Sequence, residues 1–196
     1  MTASGAAAAP VGSAGRRGPI DRGAIVAGWV GIGMAVTVGV SFLLVIPIEP
    51  IYWLLAPFCG LLIGYYANQR SLTPARAWRR IIVDAVYAGV VTGVTLALLL
   101  LVVKALFFYA DNGFGGGPNG TSISCEVGPD CVYQRYLNAG RGPALEAAGV
   151  NDVGSFTALY WQQQLATAGL LFALATGGAV VGGAVYGLTR PATTAA

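Results

Sequence analysis

The chain has 196 residues, 56% of them hydrophobic and 10% charged, with a formal net charge of +3 and a mean hydropathy of +0.68. A soluble domain carries about 25% charged residues, so the polar side chains here are too few to cover a water-facing surface, and lipid must solvate much of the chain. No Lys/Arg run forms a nucleic-acid arm, which leaves nucleic acid out as a partner. The absence of histidine removes the commonest general base, metal ligand and haem ligand.

Residues 1–22 are Ala, Gly, Ser and Pro with Arg16, Arg17 and Arg22, and read as a disordered tail. The apolar stretch behind them, Ala24 to Ile46, exceeds the roughly 7–15 residues of a cleavable signal core. It is a first span over 24–46. Pro47-Ile48-Glu49-Pro50 then breaks the apolar run, since two prolines flanking an acid make a turn at a membrane surface. A second span follows over 51–68, with Tyr52, Trp53, Tyr65 and Tyr66 near its ends as interfacial aromatics. Pro57 inside it predicts a kink.

A polar loop at 69–80 carries Arg70, Arg76, Arg79 and Arg80. The third span, 81–108, has an uncharged core from Ala85 to Val103 between Asp84 and Lys104. That core is about 28 Å long at 1.5 Å per residue, close to the apolar thickness of a bilayer. Residues 110–157 form one large loop, opening on DNGFGGGPNG and holding Cys125, Cys131 and a possible helix over 132–148. The fourth span is 159–188, and 191–196 form a second short tail. The fold class is thus an all-α membrane protein, a four-transmembrane-helix bundle spanning 23–190, with one large extracytoplasmic loop between the third and fourth helices.

Four spans put both termini on one side, together with Arg16, Arg17, Arg22, Arg70, Arg76, Arg79, Arg80 and Arg190. The other side keeps Lys104, Arg135 and Arg141. The excess of cations on cytoplasmic loops places the termini in the cytoplasm of a multi-pass cell-membrane protein. Cys125 and Cys131 then fall outside, where disulfides persist, and the Gly128-Pro129 turn between them favours bridging. With Lys104 the only lysine among abundant Ala, Gly and Val, the composition suggests a bacterial source.

Small residues recur four apart in every span: Gly31, Ala35 and Gly39; Gly60 and Gly64; Gly89 and Gly93; Gly178 and Gly182; Gly183 and Gly187. Such grooves let lipid-embedded helices approach closely. The fourth span, which also has Gly177, carries more than one contact face needs and offers a surface to another membrane protein or a second copy. Asp84 and Lys104 end the third span, where a structural role is expected because neither lies at mid-membrane. Arg80, four residues before Asp84, can pair with it.

Gln162, Gln163 and Gln164 cover nearly a helical turn beside Trp161, and with Glu49 and Lys104 they make a candidate polar site at the outer level. The cysteine pair is expected to be structural, because Glu126 and Asp130 give it an acidic setting where reactive thiols need a positive one. No phosphate loop, dinucleotide fingerprint or nucleophile set is present, and no metal or other cofactor is expected. The expected function is that of a non-enzymatic subunit or assembly factor acting through helix association. The alternative is a small transporter or channel component working as an oligomer.

Overall fold

The computed structural model describes residues 20–41, 49–71, 77–110 and 125–189, with the side chains of 49–52 left aside. The ordered elements among the described residues are all helices: α1 (Arg22–Gly39), α2 (Glu49–Ser71), α3 (Trp78–Ala110), α4 (Pro129–Tyr136), α5 (Gly142–Ala147) and α6 (Val153–Thr189). Three helices, α1, α3 and α6, are long and apolar enough to cross a membrane. The chain is therefore read as a membrane protein. The expected tails (1–19 and 190–196), most of the basic loop (72–76), Pro47 and Ile48, and the Gly-rich stretch 111–124 lie outside the described residues.

Several boundaries differ from the sequence reading. Glu49 and Pro50 begin α2 instead of forming a turn, because a proline in the first helical turn lacks only an N–H that has no helical acceptor. Pro57 lies inside the same helix, as the sequence reading has it. The helix expected over 132–148 is two short helices, with Gly140 between them at φ 74°. Finally, α6 starts at Val153, several residues before the expected 159, and near its other end Tyr186 is fully buried, packed edge-on against Tyr65 at 5.6 Å.

At the centre α2 and α6 run parallel in a glycine interlock. A Cβ added to Gly60 or Gly64 would meet the carbonyl oxygen of Ala175 or Ala179, and one added to Gly178 or Gly182 would meet that of Pro57 or Leu61. Each helix therefore lays its glycines on the other's backbone, the approach that lets Cα–H groups face carbonyl oxygens. On its adjacent face α6 meets α3 in the antiparallel sense. Gly89 and Gly93 of α3 lie against Ala179, Thr176 and Phe172, while Gly183 and Gly187 of α6 lie against Ala85 and the Trp78 ring. On the far side of the α2–α3 pair, α1 packs on both, with Gly31 over the Thr92 hydroxyl and Ile63.

The ends of α1, α2, α3 and α6 nearest Arg22, Arg70, Arg80 and Tyr186 gather at one end of the bundle, called here the basic end. Asn68, fully buried, donates from Nδ2 to the carbonyls of Gly64 (3.0 Å) and Ile81 (3.1 Å), tying α2 to α3. Asp84, also fully buried, accepts the backbone N–H of Asp21 at 3.4 Å. Arg80 forms its ion pair with Asp21, again at 3.4 Å. The aspartate that opens α1 is thus held by two residues of α3.

Adding a single methyl group distinguishes interlocked from outward glycines. Gly64→Ala drives a Cβ onto the Ala179 carbonyl and should destabilise the protein by about 1–3 kcal/mol, as overpacking does. Gly33→Ala meets nothing within 4 Å and should leave stability unchanged or slightly raised through helix propensity. Thermal unfolding in detergent compares the two, and equal midpoints would refute the interlock.

Candidate functional site

At the opposite end α3 and α6 continue together past the bundle. Their 33 and 37 residues correspond to about 50 and 55 Å of helix, well beyond a hydrocarbon core of about 30 Å. The segment between them folds back onto this overhang as a cap.

Local sequence dictates the cap's shape. Pro129 opens α4 after Gly128, with Asp130 in its first turn and Arg135 in its last, the polarity that suits the helix dipole. Cys131 is fully buried and pairs with Cys125, their Cα atoms 5.3 Å apart, which fixes the start of α4. Gly149, at φ 76°, ends α5: its N–H donates to Glu146 and that of Val150 to Leu145, both at 2.9 Å. This is a Schellman closure, completed by burial of Leu145 and Val150 in one cluster.

Asp152 then caps α6. Its carboxylate accepts the Ser155 N–H at 2.7 Å, and its own N–H donates to the Ser155 hydroxyl at 3.2 Å, a reciprocal box. The Ser155 backbone and hydroxyl donors hold the Asp152 carboxyl below the usual carboxylate range.

The cap's core is aromatic. Phe108, 1% exposed, stacks on Tyr160 with ring centres 4.4 Å apart and meets Trp161 edge-on at 5.8 Å. Phe156 joins Tyr133 and Tyr136 of α4 to the same cluster, at 5.2 and 5.1 Å. Offset and edge contacts of this kind add about 0.5–1.5 kcal/mol each beyond the area they bury.

Between cap and bundle lies a cavity of about 410 Å³, within the size range of small-ligand sites. Each helix supplies one face at spacing i, i+3, i+4: Lys104, Phe107 and Phe108 from α3; Val132, Arg135 and Tyr136 from α4; Tyr160, Gln163, Gln164 and Thr167 from α6. Trp53 of α2 and Arg141 complete the wall, with Leu100 and Leu171 as its floor. The Arg141 guanidinium lies 5.0 Å from the centre of the Tyr136 ring, and Arg135 donates to Cys131 Sγ at 3.5 Å. A smaller apolar pocket, about 20 Å³, lies below the same Leu100 and Leu171, between Val38, Gly39, Leu55 and Leu96.

Of the polar residues singled out from sequence, the structure brings Lys104, Gln163 and Gln164 into one cavity. Gln162 is exposed and does not line it. Glu49 begins α2, one turn before Trp53, and its side chain lies outside the described residues. Arg135, Arg141 and Trp53 were not anticipated at the site. The signal for the first was present in the i, i+3, i+4 spacing of Val132, Arg135 and Tyr136, which puts all three on one helical face. The guanidinium of Arg135 also gives the disulfide a positive neighbour, where Glu126 and Asp130 alone had suggested an acidic one. Among the described residues no cluster of His, Cys, Asp or Glu could hold a metal ion.

Comparison with models of protein families, with curated proteins and with solved structures finds no match. The site's chemistry must therefore be read from its own residues.

Removing the ring at the centre of the cap should loosen it from the bundle. Phe108→Ala is expected to cost about 3–5 kcal/mol, and reduction of the Cys125–Cys131 bridge by dithiothreitol should become faster. An unchanged reduction rate would mean that the cap is held by something other than this cluster.

Proposed function

We propose that the chain is a non-enzymatic, multi-pass membrane protein, a subunit or assembly factor that works by associating with another membrane protein through the outer face of α6. In this reading α2 is a fourth span beside α1, α3 and α6, the basic end and both termini are cytoplasmic, and the cap is extracytoplasmic.

The observation that supports the association reading is a third small-residue face on α6. Gly178 and Gly182 are occupied by α2, and Gly183 and Gly187 by α3. Gly169, Ala173 and Gly177, also spaced four apart, are exposed, and a Cβ on either glycine would meet nothing within 4 Å. Lipid chains fill such a groove less well than a second helix does, because close backbone approach is what small residues provide. The second reading, a small transporter or channel component working as an oligomer, is favoured by the polar cavity under the cap.

Purification in a mild detergent, with the mass of the intact particle, tests the association. A heteromeric particle is expected, reduced to the single chain by Gly169→Leu with Gly177→Leu, while Gly33→Leu leaves it whole. A homo-oligomer would favour the transporter reading, and a wild-type monomer would overturn both.

The orientation has its own test. On intact cells a membrane-impermeant maleimide should label Cys125 only after reduction. Labelling without reductant would remove the disulfide, and labelling only after lysis would invert the protein.

A further inference from the structure

We propose that the Cys125–Cys131 bridge is a thiol-exchange site: a dithiol attacks Cys125, and Cys131 departs as a thiolate held by Arg135. The inference is independent of the association through α6, since it uses different residues and a different part of the chain.

Access is the first argument. The two sulfurs belong to unlike surroundings. Cys131 is fully buried in the first turn of α4, whereas Cys125 is part-exposed on the non-helical stretch before that helix. Exchange needs an attacking thiolate to reach one sulfur while the other leaves, and this asymmetry makes Cys125 the sulfur attacked. A purely structural role asks little of such a bridge, because a sequence separation of 6 closes a short loop, and short loops restrain the unfolded chain least.

The second argument is what surrounds the leaving sulfur. Arg135, one turn on along the same face of α4, donates from its guanidinium to Cys131 Sγ at 3.5 Å. Cys131 is also the third residue of its helix, among the N–H groups that have no acceptor within a helix and carry the positive end of its dipole. Both features favour a thiolate, and a stabilised thiolate leaves faster. The carboxylates of the enclosed segment, Glu126 and Asp130, are exposed, where water and salt screen them.

In the first step the attacking thiolate forms a bond to Cys125 Sγ as the Cys125–Cys131 bond breaks, and the electron pair of that bond stays on Cys131. The second thiol of the dithiol, deprotonated, then attacks its own partner sulfur and releases Cys125. The dithiol is oxidised to a disulfide by two electrons, the cysteine pair is reduced to two thiols, and the protons of the dithiol end on the two cysteines.

The purified full-length chain in mild detergent would be treated with excess glutathione, quenched with acid and alkylated with N-ethylmaleimide, and the adducts placed by peptide fragmentation in a mass spectrometer. Glutathione should sit on Cys125 and maleimide on Cys131. Arg135→Gln should slow opening of the bridge about three- to tenfold, part or all of one charge-assisted hydrogen bond, and Arg135→Lys should stay within about twofold of wild type because it keeps the charge. A cap that had merely loosened would open faster, so slowing is a signature that a structural role for Arg135 does not produce. Glutathione found on Cys131 as often as on Cys125, or a folded Arg135→Gln variant that opens as fast as wild type, would overturn the proposal. The adduct map of the wild-type chain decides by itself should the Arg135 variants fail to fold.

Discussion

The parallel interlock of α2 and α6 is the constraint from which the rest of the architecture follows. Where Gly60, Gly64, Gly178 and Gly182 lie on opposing carbonyl oxygens, the two backbones come as near as helices can. In lipid such contact must supply the cohesion that water-driven burial supplies elsewhere. The proximity fixes register as well as distance, because a shift of one residue would bring side chains onto carbonyls. Register in turn sets Gly183 and Gly187 against α3, and through α3 it sets the position of α1. The order of packing in the bundle is thus readable as one close pair with two helices laid against it.

The two ends of the bundle solve different problems. At the basic end a few polar groups tie the helices together, although the Asn68 side-chain oxygen has no hydrogen-bond partner among the described residues. Asn68 bridges α2 to α3, and Asp84 and Arg80 hold Asp21 at the entrance to α1. These contacts link helix ends that adjoin in space, so they set the helices level with one another. At the other end alignment comes from overlength. Because α3 and α6 both run beyond the depth of a bilayer, their final turns need cover, and Phe108, Phe156 and Tyr160 provide a second hydrophobic core. The α4–α5 segment closes over it, with the bridge at one end and the Schellman closure at the other.

Much of this was legible in the residues. The spans of α3 and α6 show in long uncharged runs, and α1 shows in the apolar stretch behind Arg22. The packing faces show in the spacing of small residues. That spacing says which side of a helix approaches another, yet it cannot name the partner: Gly182 and Gly183 are sequence neighbours that face different helices. The reach of α6 was underestimated because Val153 to Leu159 is mixed in polarity. Its helical character comes from the Asp152–Ser155 box and from burying Phe156 in the cap, a tertiary effect. The site was half visible. Lys104, Gln163 and Gln164 stand at recognisable interface positions, whereas Arg141 reaches the cavity only because the chain turns at Gly140, whose positive φ a sequence does not announce.

The cavity is the consequence of joining these two structures. A compact bundle with glycine-lined contacts leaves little room inside, as the small apolar pocket beneath Leu100 and Leu171 illustrates. Among the described residues a larger space opens where α2 begins near Trp53 while α3 and α6 continue. Aliphatic residues would have closed such a gap at least energetic cost. Instead the walls carry two arginines, a lysine and two glutamines, of which Arg141 and Gln163 remain exposed. Charged residues are few in this chain, and three of the cations, Lys104, Arg135 and Arg141, line this one opening.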